Sequence, residues 1–284
     1  MKKIVFLAVI AILFLTGCVE YGLTIKVNKD GSGEIVEEML MANQIINMAK
    51  AMNTDQGNMN AFSKERVMEK GSRFGKDVVY KDFEEIKNEV KQGYRVTYKF
   101  DDINNIQLSD KVFSESVESV TENVKMGNDE DLDEESEDDD IELEKFYNFE
   151  YNKKGKLIIK NGFTEAINEA KAKKDGEVEE WSEEGEKMSD EEIEQNINMA
   201  KMFVQGMKFF TRIEFNDIKD ANIPHENNQI TLFEIDMDKL LENPETFKEL
   251  MKDGDTEITK FLNNEKQIDG IIFHNVENIT VNFK

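Results

Sequence analysis

The strongest constraint on the fold is a segment whose two faces differ completely. After Gly93, the residues Tyr94, Val96, Tyr98 and Phe100 alternate with Arg95, Thr97, Lys99 and Asp101. Successive side chains of a strand point to opposite faces, so a period of two puts four large apolar groups on one side and four polar ones on the other. A helix would scatter the same residues around its circumference. The segment therefore demands a sheet with one buried face. That aromatic face is expected to pack a core rather than to form a platform for stacked ligands.

The pattern recurs. Tyr21, Leu23, Ile25 and Val27 alternate with Gly22, Thr24, Lys26 and Asn28. The turn signal Asp30-Gly31-Ser32-Gly33 follows, and a second strand from about Glu34 to Met41 completes a hairpin. Val78 to Glu84 reads as a strand. Phe146 to Tyr151 and Leu157 to Lys160 flank Asn152-Lys153-Lys154-Gly155 as a further hairpin. Thr211 to Phe215 and Gln229 to Ile235 read as strands with a turn near Pro224 between them. Ile271 to Phe273 and Ile279 to Phe283 close the chain with strand-like segments.

Helices are expected between these strands, over about Ala42 to Met52 and Ala61 to Arg73. The clearest begins at Ser189, where Ser189 and Glu192 form a capping box. Ile193, Ile197, Ala200, Val204 and Met207 then recur at helical spacing to about Phe210. Asn243-Pro244 suits the start of a short helix. The fold class is α+β, with mainly antiparallel sheets of hairpins, packed amphipathic helices and long acidic loop insertions. One internal echo stands out: Phe100-Asp101-Asp102-Ile103 against Phe215-Asn216-Asp217-Ile218, each following a strand. It hints at two related half-sheets.

Acidic residues interrupt this plan. Twelve of the sixteen residues from Asp129 to Glu144 are Asp or Glu, which leaves too little apolar content to fold. The expected organisation is a leader over 1–17, an N-terminal part of the α+β domain over 18–126 and an acidic disordered loop over 127–144. A C-terminal part over 145–284 carries a second acidic stretch at about 168–188, around Trp181. The formal charge is −25, and −27 once Lys2 and Lys3 leave with the leader. Nucleic acid would repel such a chain, since its binders concentrate Lys and Arg. An anionic bilayer would repel it too, so a membrane attachment must be apolar or covalent.

The first residues supply one. Met1-Lys2-Lys3 is a positive start, and Ile4 to Leu15 is an unbroken apolar run of twelve residues. As a helix that run would reach only ~18 Å, short of the ~30 Å hydrocarbon core, so a cleaved leader is expected rather than a permanent span. Leu15-Thr16-Gly17-Cys18 resembles the lipobox of bacterial lipoproteins: an aliphatic residue, two small ones, then cysteine. The resemblance implies diacylglycerol on Cys18 through a thioether, cleavage after Gly17, and acylation of the new amino terminus. Two or three acyl chains anchor stably where one does not. Val19 follows; in enterobacterial-type cells an Asp there retains a lipoprotein in the inner membrane. The resemblance thus favours the outer membrane in a two-membrane cell, and otherwise the outer face of the cytoplasmic membrane. Cys18 is the only cysteine, so no internal disulfide can form.

The mature part also resembles the LppM-type domain of bacterial lipoproteins over roughly residues 19–108 and 190–240. The likeness rests on the strand just after the cysteine, the Asp30-Gly31-Ser32-Gly33 turn, the helices with paired strands, and Asn227-Asn228 before a strand within Ile213 to Leu241. The acidic insertions depart from that pattern. The resemblance implies an envelope domain without a settled activity, so no site residues carry over.

Motifs for chemistry are scarce. His225 and His274 lack metal-ligand or triad spacing and are expected on the surface or in turns. Asp30 to Glu34 and Asp253-Gly254-Asp255-Thr256-Glu257 lack the ligand alternation of an EF-hand and read as tight turns. Loose calcium association with Asp129 to Glu144 is compatible with its charge. No catalytic, metal or cofactor residue is assigned. The reading is a lipid-anchored, non-enzymatic envelope protein of binding or assembly type, whose partners are membrane lipid and a protein, a basic one if the acidic loop serves. Two alternatives stay open: an enzyme with carboxylates dispersed in sequence, and an acidic-loop module that captures a partner or cations.

Overall fold

The computed structural model describes residues 19–43, 46–47, 63–109, 146–162, 164, 206–243 and 268–284. The described residues open with β1 (Val19–Val27) and β2 (Gly33–Ala42), then β3 (Val79–Lys87), β4 (Lys91–Phe100) and β5 (Gln107–Leu108). Next come β6 (Tyr147–Tyr151), β7 (Lys156–Asn161), β8 (Lys208–Phe215), β9 (Ile218–Ala221), β10 (Gln229–Asp236), β11 (Ile271–Phe273) and β12 (Asn278–Phe283). They form a seven-stranded sheet, β11-β10-β8-β1-β2-β4-β3, and a five-stranded sheet, β5-β6-β7-β12-β9. Every neighbouring pair is antiparallel except β1 with β8. The segments on either side of the acidic loop both feed both sheets.

The alternating segments bury the faces their patterns demand. Tyr94, Val96, Tyr98 and Phe100 on β4 are buried, as are Leu23, Ile25 and Val27 on β1. Each such apolar side chain contributes ~1.5–3 kcal/mol by leaving water. Phe149, Leu157, Ile159, Val281 and Phe283 of the smaller sheet join the same core. Phe215 and Phe283 meet across the two sheets with ring centroids 4.6 Å apart.

The internal echo marks how the sheets are joined. Phe100 pairs with Gly33, Gly33 with Val27, and Val27 with Phe215, so both phenylalanines end their strands at one level. Beyond each, the chain leaves the large sheet: one branch buries Ile103 and reaches β5, the other buries Ile218 and enters β9. These are the two edge strands of the small sheet. Each corner is pinned by a short polar side chain. Asp102 accepts from the Asn104 backbone N–H at 3.0 Å, and Asn228 accepts from that of Ile218 at 3.0 Å.

The sequence reading needs correction at several points. The described residues are mostly β, with two six-residue α-helices, Lys64–Glu69 and Met237–Glu242, so the helical part of the α+β expectation is not confirmed. The expected helix to Phe210 does not reach that far. Gly206 turns the chain at φ +79, and β8 already runs from Lys208, where Phe209, Thr211, Ile213 and Phe215 resume a period of two. The remainder of that helix, and most of the one over 42–52, lie outside the described residues. Met237–Glu242 is a helix that Asp236 caps by accepting from the Lys239 backbone N–H, with Asn243 as its C-cap; it precedes the short helix expected to start at Asn243-Pro244, whose residues after Asn243 are not among the described ones. The span between β8 and β10 also holds β9, not just a turn near Pro224.

Candidate functional site

Along β2 the core-facing positions are Ile35, Glu37, Met39 and Met41. Glu37 therefore enters an apolar face as an acid, and it is fully buried. Its partner arrives from the helix Lys64–Glu69, which tightens into a 3-10 turn over Lys70–Phe74. Phe74 packs on Tyr98, and the Tyr98 hydroxyl donates to the Val67 carbonyl at 2.7 Å. That packing sets Arg73 over the sheet, where its guanidinium pairs with Glu37; only 6% of the arginine side chain is exposed. The Tyr94 hydroxyl also donates to Glu37, at 3.2 Å.

Burial opposes the charge on Arg73, but Glu37 beside it, with Tyr21 and Tyr94, holds the guanidinium above its ordinary range. Burial, and then the Glu37 charge, push the Tyr94 hydroxyl well above a free tyrosine. The ensemble is an ion pair ringed by protonated phenols. It can fix the helix and its 3-10 extension on the sheet. As an acid–base centre it lacks access, because Glu37 has no exposed surface.

The opposite face of the large sheet carries a shallow groove of about 200 Å³, lined among others by Gly22, Thr24, Val36, Phe210 and Arg212. Phe210 lies over Gly22, its register partner, and the Arg212 guanidinium stacks 4.1 Å from the Phe210 ring. The charges around the groove are matched: Arg212 with Glu234 at 2.6 Å, Lys26 with Glu214 at 3.8 Å, and Arg95 with both Glu38 and Glu84. Each charged side chain that lines the groove is thus already paired with an opposite charge.

The lipobox residues Leu15, Thr16, Gly17 and Cys18 lie outside the described residues, which begin at Val19. So do 129–144 and 253–257. Asp30 is spent within its turn, accepting from the Ser32 N–H at 3.0 Å and hydroxyl at 2.7 Å; the Ser32 side chain and then its backbone hold that carboxyl below its ordinary value. His225 is exposed. His274 is half-buried against the Thr231 carbonyl at 2.9 Å, and burial lowers its pKa although that contact opposes the shift. Among the described residues, no group of three His, Cys, Asp or Glu is placed to hold a metal ion. None of their helices is long and apolar enough to cross a membrane. Sequence reasoning missed Glu37 and Arg73. The available signal was an acid in phase with Ile35 and Met39, blurred because Val36 and Leu40 are apolar in the other phase.

No family model and no curated protein matches the chain. Among solved structures, the folded domain of the LppM protein of Mycobacterium tuberculosis, determined by NMR, is similar over 95% of this chain and 91% of its own, at 6% identity and a TM-score of 0.29. It is of the type that the sequence resembles, but at that score the likeness carries no argument about fold or activity.

Proposed function

We propose that this chain is a lipid-anchored protein of the bacterial cell envelope that works by binding or assembly rather than by catalysis. The observation that carries the reading is the Leu15-Thr16-Gly17-Cys18 signature directly followed by β1, which starts at Val19. In this reading the chain is cut after Gly17, Cys18 carries the lipid, and the folded part begins at once. The buried acid supports a non-catalytic role: Glu37 is held by Arg73 and Tyr94 beneath packed side chains. The outer membrane is the favoured site in a two-membrane cell, and the outer face of the cytoplasmic membrane otherwise. The partners proposed are membrane lipid and a further envelope protein, with no cofactor beyond the covalent lipid.

Membrane fractionation with intact mass measurement tests this on the wild type and Cys18→Ala. The wild type is expected in the membrane fraction, with a mass that begins at Cys18 and includes acyl chains. Cys18→Ala is expected uncut and without lipid. A wild-type protein bearing no lipid overturns the reading. Turnover of an envelope substrate by the purified protein at enzymatic rates overturns its non-catalytic part.

A further inference from the structure

If Cys18 bears the lipid, as proposed above, the geometry of β1 decides which part of the molecule meets the bilayer. One peptide bond separates Cys18 from Val19, so their Cα atoms are ~3.8 Å apart, and Glu20 lies within roughly 7 Å of the anchor. The headgroup zone is only about 5–8 Å deep on each side of the hydrocarbon. The start of β1 is therefore held at that zone. β1 is the middle strand of the seven, so the tether pulls on the centre of the sheet and not on a corner.

The register identifies what else lies at that end. Val19 pairs with Met41, Met41 with Gln92, and Gln92 with Lys87, which brings in the β3–β4 turn. On the other side Glu20 pairs with Lys208, and Lys208 with Asp236. The β3–β4 turn projects beyond this level and is tightly built. The Asn88 side-chain oxygen accepts from the N–H groups of Val90 and Lys91, both at 2.8 Å, and the Asn43 backbone N–H donates to the Val90 carbonyl at 2.9 Å. That frame presents Val90, 67% exposed, more than any other large apolar side chain among the described residues.

The charges at this end are also arranged for close approach. Glu20 is paired with Lys91 at 3.1 Å, Asp236 with Lys208 at 2.9 Å, and Asp238 accepts from the Gly206 N–H at 2.7 Å. In a mature chain of net charge −27, these three acids have their charge matched or hydrogen-bonded. Glu89 on the turn, and Glu242 and Asp269 beyond the end of β10, are exposed acids that stay in water at this end.

We propose that the strand-end surface around Val19, with Val90 at its tip, is a lipid-docking surface that sits in the headgroup layer and holds the sheets upright on the membrane. The opposite end, with Lys29 in the β1–β2 turn, then points away from the bilayer.

The test uses full-length protein, isolated with its lipid and reconstituted in phosphatidylethanolamine–phosphatidylglycerol vesicles that contain nitroxide-labelled lipid. Val90→Cys and Lys29→Cys variants carry a fluorescent thiol label, Cys18 being blocked by its own lipid. Both positions are exposed, so both variants should fold. The label at position 90 is expected to be quenched several-fold more strongly than the label at 29, with an emission blue-shift on reconstitution. Lipid on Cys18 with equal quenching at the two positions, or with stronger quenching at 29, overturns the docking surface alone. The same holds if residue 90 is shielded from water without being quenched, since a second copy of the chain would then cover the turn. Absence of lipid on Cys18 overturns both the docking surface and the function on which it rests.

Discussion

Two adjacent rungs of the large sheet run across all seven strands and could hardly differ more. One passes through Phe83, Val96, Glu37, Leu23, Thr211, Phe233 and Phe273 and faces the core. The next passes through Glu84, Arg95, Glu38, Gly22, Phe210, Glu234 and Ile272 and faces outward. Glu37 and Glu38 are neighbours in sequence, and each is paired with an arginine. On the inner rung the pair is sealed among phenols and aliphatic groups. On the outer rung Arg95 is 44% exposed and shared between Glu38 and Glu84. The same chemistry should thus be worth very different amounts, because water screens one pair and is excluded from the other.

The largest effect should come from Arg73→Ala, which leaves Glu37 buried without its counter-charge. Urea unfolding should show a loss of about 3–5 kcal/mol. Replacing both partners, Glu37→Leu with Arg73→Met, should recover most of it, since an apolar pair of similar volume needs no charge compensation. A double replacement as damaging as the single one would show that the pair itself, and not the orphaned charge, holds the helix on the sheet.

Gly22→Ala tests the outer rung where it is most crowded. A Cβ there would stand 2.2 Å from the Phe210 ring, so the ring must swing aside and leave its stack with Arg212. The cost should fall at the low end of about 1–3 kcal/mol, because a half-exposed ring has room to move. Adding Phe210→Ala should abolish the sensitivity to Gly22→Ala.

His274 probes the strand β10 that carries both rungs, through its bond to Thr231 at the register shift. Its folded-state pKa lies below the ordinary 6.5. As pH falls, the unfolded chain takes up this proton first, so the contribution is complete above about 6.5 and is lost as pH falls through the lower folded value. Thermal melts from pH 7.5 to 5 should show a steeper decline for the wild type than for His274→Asn. Equal slopes would mean that the ring is not desolvated in solution.

The smallest effect belongs to Glu38→Ala, expected at about 0.2–1 kcal/mol and diminished by added salt. A loss as large as that of Arg73→Ala would erase the distinction between the two faces.

Much of this was readable from local pattern. The hairpin of β1 and β2, the strands β3, β4, β6, β7, β10 and β12, and the burial of Tyr94 to Phe100 follow from a period of two and from turn chemistry. The sequence pattern puts the turn before β10 near Pro224, whereas the tight two-residue turn is Asn227-Asn228, where both residues take positive φ, at 51° and 61°, and Glu226 pairs with Gln229. The end of the expected helix was misread because Met207 continues a helical spacing while Phe209 and Phe210 already belong to a strand. There the packing partner decided, as Phe209 and Phe210 lie beside Tyr21 and Gly22 of β1.

The sequence by itself determined the alternating strands, the acidic interruption and the signature at Cys18, since each depends on neighbours within a few residues. Only the tertiary structure decided that β8 lies parallel to β1, that the two Phe-to-Ile corners feed opposite edges of the small sheet, and that Arg73 covers Glu37. Those depend on which strands pair at a distance, and no local period encodes the partner. Even the consequence of the proposed anchor needed the register: in that reading lipid sits on Cys18, and the strand order places the neighbouring Val19 on the middle strand of seven.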